Sequence, residues 1–511
     1  MHKYLLIICL LTSNIVFAQI PEDAKRYSFY PQGGTARNIA IGGAMGSLGG
    51  DINATFVNPA GLGLFKTKEV VLTPAFAFNN NKSTYRTTLE KNKLNNFNLG
   101  TTGFVWAHNN RYKKSSSAFS LALTQTADFN NTVKYNGLNN FSSMAEQFAE
   151  EMVTVNINNV LSTNSPVAYG AAPAFYTFLI DTLSSGGNLT VKPATGFILD
   201  ANEALKQEYT KTTKGGIYEL ALSFAHNTND KWLFGGTLAM PIVNYKSTTR
   251  FKESDTSLKT SNFFNNFVYT DDFTTKGIGL NGKLGVIYRP KEYVRIGFSV
   301  HTPMFLFLKD TRETNLSTAL ENPVNTYTTS SKTFTNNVKG ESKYIQSTPF
   351  KAMLSGSYVF REVENVNRQK AFITADVEYV HHNGSRFGSD NEEPTEDEKA
   401  YFKDLNNVIK GYYKGNFNFR VGGELKFTIL MARLGFAYYG NPYKEAELKA
   451  NRMILSGGLG YRNKGVFVDL TYAHSFNKDV DFAYRLADKA NTYAVVKNQR
   501  GNVVATLGFK F

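Results

Sequence analysis

The feature that most constrains this chain is an alternation of apolar and polar residues with period two, repeated along most of its length. In 416–427, Phe417, Phe419, Val421, Leu425 and Phe427 fall on one face, and Asn416, Asn418, Arg420, Glu424 and Lys426 on the other. The pattern recurs in 294–300, 371–379, 430–438, 466–472 and 503–511. Successive strand residues point to opposite faces, so this period specifies β-strands with one apolar face. After Ala18 no segment comes near 18 continuous apolar residues, which excludes membrane-spanning helices. A soluble sandwich turns such apolar faces inward. A barrel in lipid turns them outward and keeps its charges in the lumen.

The connections separate the two. Short polar turns are expected near Asn109–Lys114, Asn227–Lys231, Arg289–Glu292, Arg361–Arg368 and Arg462–Gly465. Long segments are expected near Asn79–Asn96, Asp128–Gly215, Phe251–Thr274, Thr311–Tyr344, Gly388–Lys414, Asn441–Arg452 and Asn477–Arg500. Short and long connections alternate, as in an outer-membrane barrel with tight periplasmic turns and long external loops. The expected fold is all-β: a transmembrane antiparallel barrel of about 14 strands. The 40 Phe, 28 Tyr and 41 Gly among 511 residues suit such a sheet. The mean hydropathy of -0.30 fits it too, because only alternate strand residues need be apolar.

The first residues read as a secretory signal peptide: Lys3, an apolar core Leu5–Leu11, then Val16-Phe17-Ala18 before Gln19. Cys9 is the only cysteine and lies within it, so residues 19–511 form no disulfide, thiolate metal site or cysteine nucleophile. The net charge is +14, or +13 without Lys3. The basic residues are scattered rather than clustered with aromatics, which argues against nucleic acid and for lumen and membrane-surface charge. The terminal Phe511 closes an apolar strand face and is similar to the assembly signal of bacterial outer-membrane barrels.

The longest connection, 128–215, carries two apolar stretches. Met144, Phe148, Met152, Val155 and Leu161 recur at helical spacing, and Phe175, Phe178 and Leu179 follow in a second segment. These helices either cap the barrel mouth and pack on each other, or Phe148, Met152, Val155, Phe175, Phe178 and Leu179 form a greasy entrance groove.

Residues 19–68 precede the first strand and are rich in small residues, including Gly42, Gly43 and the run Asn58-Pro59-Ala60-Gly61-Leu62. No Gly-Lys-Ser/Thr follows, so this is not a phosphate loop. Small residues permit close packing in a confined space and sharp backbone reversals. Thr35-Ala36-Arg37, Gly42-Gly43-Ala44, Asn53-Ala54 and Asn58-Pro59-Ala60 resemble the N-terminal hatch of the FadL/TodX hydrophobic-compound transporters. Phe129-Asn130, Gly279–Arg289 and Thr348-Pro349 before Lys351 sit where strands of that family end or begin. The resemblance implies a signal peptide over 1–18, a hatch over 19–68 and a barrel over 69–511. It also implies capture of a hydrophobic molecule such as a long-chain fatty acid at external loops. Passage past the hatch follows, with exit sideways through a wall gap. A carboxylate ligand needs a cation, for which Lys283, Arg295, Lys351, Arg420 and Arg433 are candidates. Asp376, Glu378, Glu424 and Asp469 are available to pair with them instead. Asn58 and Pro59 are expected to fix the hatch backbone.

No enzyme motif stands out. The adjacent His381-His382 pair points to opposite faces, the acidic run Glu392–Glu398 lacks calcium-loop order, and no Gly-x-Ser-x-Gly elbow occurs. No cofactor or metal is expected. The expected partners are a hydrophobic small molecule, outer-membrane lipids including lipopolysaccharide, and the barrel-assembly machinery, with the protein a monomer. The alternative function is a barrel of the same fold serving as scaffold for surface or secreted proteins.

Overall fold

The computed structural model describes residues 21–110, 112–185, 188–257, 259, 262–321, 324–360, 370–445, 448 and 450–511. The expected signal peptide (1–18) and the expected turn near Arg361–Arg368 lie outside the described residues. Fourteen antiparallel strands close into one ring. They are β1 (69–85), β2 (88–110), β3 (115–139), β4 (Leu205–Thr228), β5 (Trp232–Asp255), β6 (Phe264–Lys291) and β7 (294–321). The others are β8 (340–360), β9 (371–389), β10 (Gly415–Phe427), β11 (Leu430–Tyr439), β12 (Arg452–Asn463), β13 (Val466–Asp481) and β14 (Ala494–Lys510). The ring closes where β1 pairs with β14, Val70 opposite Phe509. Closure leaves no free edge strand at the ends of the sheet, which is what a sheet in lipid requires. Six strands are interrupted, β1 at Thr73, β2 at 100–101, β3 at 129–130, β7 at 302–304, β8 at 348–350 and β9 at 382–385.

The alternation resolves with the apolar face outward. Phe417, Phe419, Val421, Leu425 and Phe427 are exposed, while Asn416, Asn418 and Arg420 are buried. The same inversion runs round the ring, leaving a continuous apolar belt. A belt of this extent is unfavourable in water by about 25 cal/mol per Å² and is the surface a bilayer core takes. Inside, polar and charged side chains pair with one another and with the N-terminal segment.

Several segments expected as long loops are strand. Residues 79–96 form a hairpin of β1 and β2, and β4 to β7 continue through 205–215, 251–255, 264–274 and 311–321. These extensions lie beyond the apolar belt, where the inner face mixes polar residues with rings buried beneath the cap, so their sequence loses the alternation while their ladder persists. A two-residue turn between β10 and β11, with Thr428 at φ 53, joins the expected short turns.

The connection after β3 folds into a cap. Helices α4 (Met144–Met152) and α5 (Ala171–Tyr176) pack with the hairpin 180–193 and with Phe251, Phe264, Phe267 and Phe334 from neighbouring strands and loops. Ser143 starts α4 with a capping box to Glu146. On the other side of the mouth, α6 (Glu396–Tyr412) buries Phe402, Leu405 and Ile409 against Ala24 and Tyr27 of the N-terminal segment.

Candidate functional site

The N-terminal segment is threaded through the barrel interior by short elements, α1 (Pro21–Arg26), α2 (Ala36–Ala40), α3 (Ala54–Val57) and a 3-10 turn at Pro59–Leu64. Its polar groups are tied to strands on opposite walls. The Ala36 N–H donates to Thr506 of β14 (2.8 Å), and the Gly46 N–H donates to Asp376 of β9 (3.1 Å). Thr237 of β5 donates to the Thr55 carbonyl (2.9 Å). Thr35 caps α2 and donates to Asp51 (3.0 Å), fixing the segment to itself.

The glycines and the Asn-Pro-Ala run set how closely the segment fits. Gly42 and Gly43 have φ of 70° and 80°, and a Cβ on Gly42 would lie 2.6 Å from the Phe436 carbonyl of β11. Asn58 accepts from the Ala60 N–H (3.1 Å) and so caps the turn that Pro59 opens. Its amide donates to the Gly46 carbonyl (2.6 Å) and, more distantly, to carbonyls of Val286 and Phe298 (3.4 Å each). Every polar atom of that side chain is committed to backbone, on β6, β7 or the segment itself.

Of the five candidate cations, three are held by carboxylates. Lys283 pairs with Glu219, Arg420 with Glu378 (2.6 Å), and Arg433 with both Glu424 (2.6 Å) and Asp469. Arg295 donates to the Leu48 carbonyl (2.6 Å) and so serves the N-terminal segment. Lys351 differs: among the described residues it has no ion pair or hydrogen bond, and its ammonium lies 5.0 Å from the centre of the Tyr30 ring. It lines a small chamber of about 60 Å³ with Tyr30, His301, Thr348 and the paired Lys283 and Arg420.

A larger cavity of about 640 Å³ lies on the other side of residues 30–33. Its lining mixes rings (Phe29, Phe129, Tyr439) with Arg452, whose guanidinium sits over Phe29 at 5.6 Å. Tyr30 lines both chambers and Phe29 the larger one, each ring under a cation.

The large cavity reaches the wall between β2 and β3, where Leu99, Gly100, Gln125 and Asp128 all line it. There the ladder stops. Pairing of β2 with β3 runs from Asn110 opposite Ser115 up to Thr102 opposite Leu123. Beyond that, 88–99 pairs only with β1 and 131–139 only with β4. Side chains span the seam instead: Asn96 donates to Asp128 (2.8 Å), Asn92 to the Thr132 carbonyl (2.7 Å), and the Leu99 N–H to Gln125 (3.3 Å). Arg500 of β14 holds Asp128 from inside.

In the cap, Phe148, Met152 and Leu179 are buried, with Val155 and Phe175 packed against them. Of the six groove candidates, Phe178 is the exposed one, 49% accessible, edge to face with Tyr327. It holds a φ of 57° just past α5, a place where glycine is relaxed and an aromatic is strained. Beneath the cap the buried Glu253 carboxyl accepts from the Ser143 hydroxyl, the Met144 N–H (3.1 Å) and Gln207 (2.6 Å). Burial pushes its pKa up to about 7 against these lowering hydrogen bonds.

The chamber around Lys351 and the charge pairs come from alternating strand positions and were open to sequence reasoning. Arg452, Phe29, Tyr30 and the seam were not singled out. Their available signals were the interruptions at Gly100, Phe129-Asn130 and Thr348-Pro349, the last two already noted as strand ends.

Comparison with solved structures gives the same fold. A Pseudomonas aeruginosa FadL homologue superposes with a TM-score of 0.53 at 14% identity, over 94% of this chain and 99% of that one. The Pseudomonas putida toluene transporter TodX gives 0.51 at 11%, over 94% and 99%. The Ralstonia pickettii toluene transporter TbuX gives 0.50 at 15%, over 94% and 100%. No family model and no curated protein matches the sequence. At these identities the likeness is one of fold, so function is argued from the site.

Proposed function

We propose that the protein is an outer-membrane transporter for hydrophobic small molecules, with residues 19–68 as a hatch. The observation that carries this reading is one cavity bounded by the N-terminal segment and reaching the wall where β2 and β3 share no strand pairing. The ligand is captured at the external loops, with Phe178 on the exposed rim of the cap. It enters the cavity, where ring and aliphatic surface supplies about 25 cal/mol per Å² buried. It leaves through the β2–β3 seam, whose side-chain bridges open at lower cost than a backbone ladder.

Within this class a long-chain fatty acid fits the cations. Its chain takes the aromatic surface, and its carboxylate takes Lys351 or Arg452, which have no carboxylate hydrogen-bonded to them among the described residues. The toluene transporters of the same fold support an apolar cargo, and the cations of this chain favour one with an anionic head. Nothing in the pathway calls for bond chemistry, so no catalytic role or cofactor is assigned.

The test is uptake of a labelled long-chain fatty acid by cells lacking their own fatty-acid channel, with and without this protein. A rise that disappears when Asn58–Ala60 is deleted, with the barrel still folded, supports hatch-gated transport. A folded surface barrel that gives no rise with the fatty acid or with a neutral apolar probe removes the reading.

A further inference from the structure

The outward face of β13, β14, β1 and β2 carries a row of lysines. Lys478 lies opposite Lys497, Lys497 opposite Lys82, and Lys82 opposite Lys91. All four are exposed, and Lys93 follows Lys91 on the same face. With strands about 4.8 Å apart the row is roughly 14 Å long. Like charges placed directly opposite one another destabilise a sheet, and three such pairs stand in succession. No hydrogen bond or ion pair to these lysines is found among the described residues. The neighbouring outward positions Asn80, Thr84, Leu89, Asn95, Val495 and Gln499 bring no carboxylate. Among the described residues the barrel supplies no counter-charge here. On the far side of the ring a similar row, Lys276, Lys309 and Lys343, differs in having Glu341 on Lys309 (2.7 Å).

The height of the row is informative. Just below it on the same strands the outward side chains are Phe76, Phe78, Phe97, Tyr472 and Phe476, all exposed. The lysines therefore stand where the external end of the apolar belt meets the headgroup layer. A ligand that fits both features has acyl chains against the rings and negative charge one step above them.

We propose that Lys82, Lys91, Lys478 and Lys497 form a binding site for the phosphate groups of an outer-leaflet glycolipid of the lipid A type. The inference rests on the reading of the chain as an outer-membrane barrel, and not on its cargo. Phosphate oxygens between the ammonium groups replace repulsion with charge-assisted hydrogen bonds, and the lipid chains cover the aromatic face.

The full-length barrel in nanodiscs of phosphatidylcholine doped with bisphosphorylated lipid A tests this, with lipid A retained per barrel read by mass spectrometry. The wild type enriches lipid A, and K82Q/K91Q/K478Q/K497Q lowers that enrichment roughly tenfold or more. The four-arginine variant retains it, and dephosphorylated lipid A is not enriched. Equal enrichment by the glutamine variant or of dephosphorylated lipid A overturns the proposal. So does displacement by inorganic phosphate at matched phosphate concentration, which would reveal a free-anion site. Should the glutamine variant not fold, the dephosphorylated lipid decides with the wild type alone. Cargo uptake plays no part in this readout, so lost transport with intact lipid preference would count against the proposed function only.

Discussion

Glu253, fully buried, and Lys351, half-buried, each carry a prediction. Glu253 lies beneath the cap, outside the apolar belt, and burial raises its pKa from 4.5 to about 7. A carboxyl that holds its proton more tightly when folded adds stability that is complete below 4.5. That stability is lost as pH rises toward 7, on the order of 3 kcal/mol in all. Glu253→Gln, which keeps a neutral hydrogen-bonding group, is expected to flatten that window. Hydrogen exchange of α4 across pH 4 to 8 measures it; a cap whose protection has the same pH profile in both forms would count against the assignment. Lys351 is the other case. Lys351→Met, which removes the charge and keeps the length, is expected to cut uptake of a long-chain fatty acid by about tenfold while sparing a neutral alkane. Equal losses for both would mean the ammonium serves the fold. Neither residue's role was legible from its neighbours in sequence. Lys351 stood among five similar candidates, and only the partners of the other four set it apart.

At the scale of elements, the seam and the seat of the N-terminal segment make separate predictions. Residues 19–511 contain no cysteine, so paired cysteines at positions 96 and 128 can be joined by a short thiol cross-linker without background from the barrel. If cargo leaves through the wall, cross-linking N96C/D128C stops uptake and cleaving the linker restores it. Uptake unaffected by complete cross-linking would place the exit elsewhere. Gly42→Val puts a branched side chain at φ 70° against the Phe436 carbonyl. It is expected to cost about 2 kcal/mol or more where the N-terminal segment packs on β11 and, if that segment seals the lumen, to raise bilayer conductance to small ions. An unchanged, silent barrel would show that another part of the segment seals the lumen. Strand existence was readable here from period two, because one face meets lipid and the other does not. Strand length was not. Beyond the belt the inner faces of β4 to β7 mix polar residues with rings buried beneath the cap, and the alternation that marks a strand fades while its ladder continues.

For the molecule as a whole, local order alone specified that apolar and polar residues alternate, that among the described residues no helix is long and apolar enough to cross a membrane, and that a small-residue segment precedes the first strand. Those are properties of local order, and they sufficed for an all-β barrel of about 14 strands with an interior segment to seat. Which charges are neutralised depends on contacts between strands. Arg420 and Glu378 are 42 residues apart in sequence, and Arg433 and Asp469 are 36 apart; the first pair meets through the register of two paired strands and the second across β12. The ring shows where pairing fails, between β2 and β3, since a missing ladder is a relation between strands and leaves no mark in either one. It also aligns four lysines from four strands into one row, a register that no single strand's sequence contains. Periodicity is written along the chain; partners, gaps and rows arise across it, where register and closure set the distances.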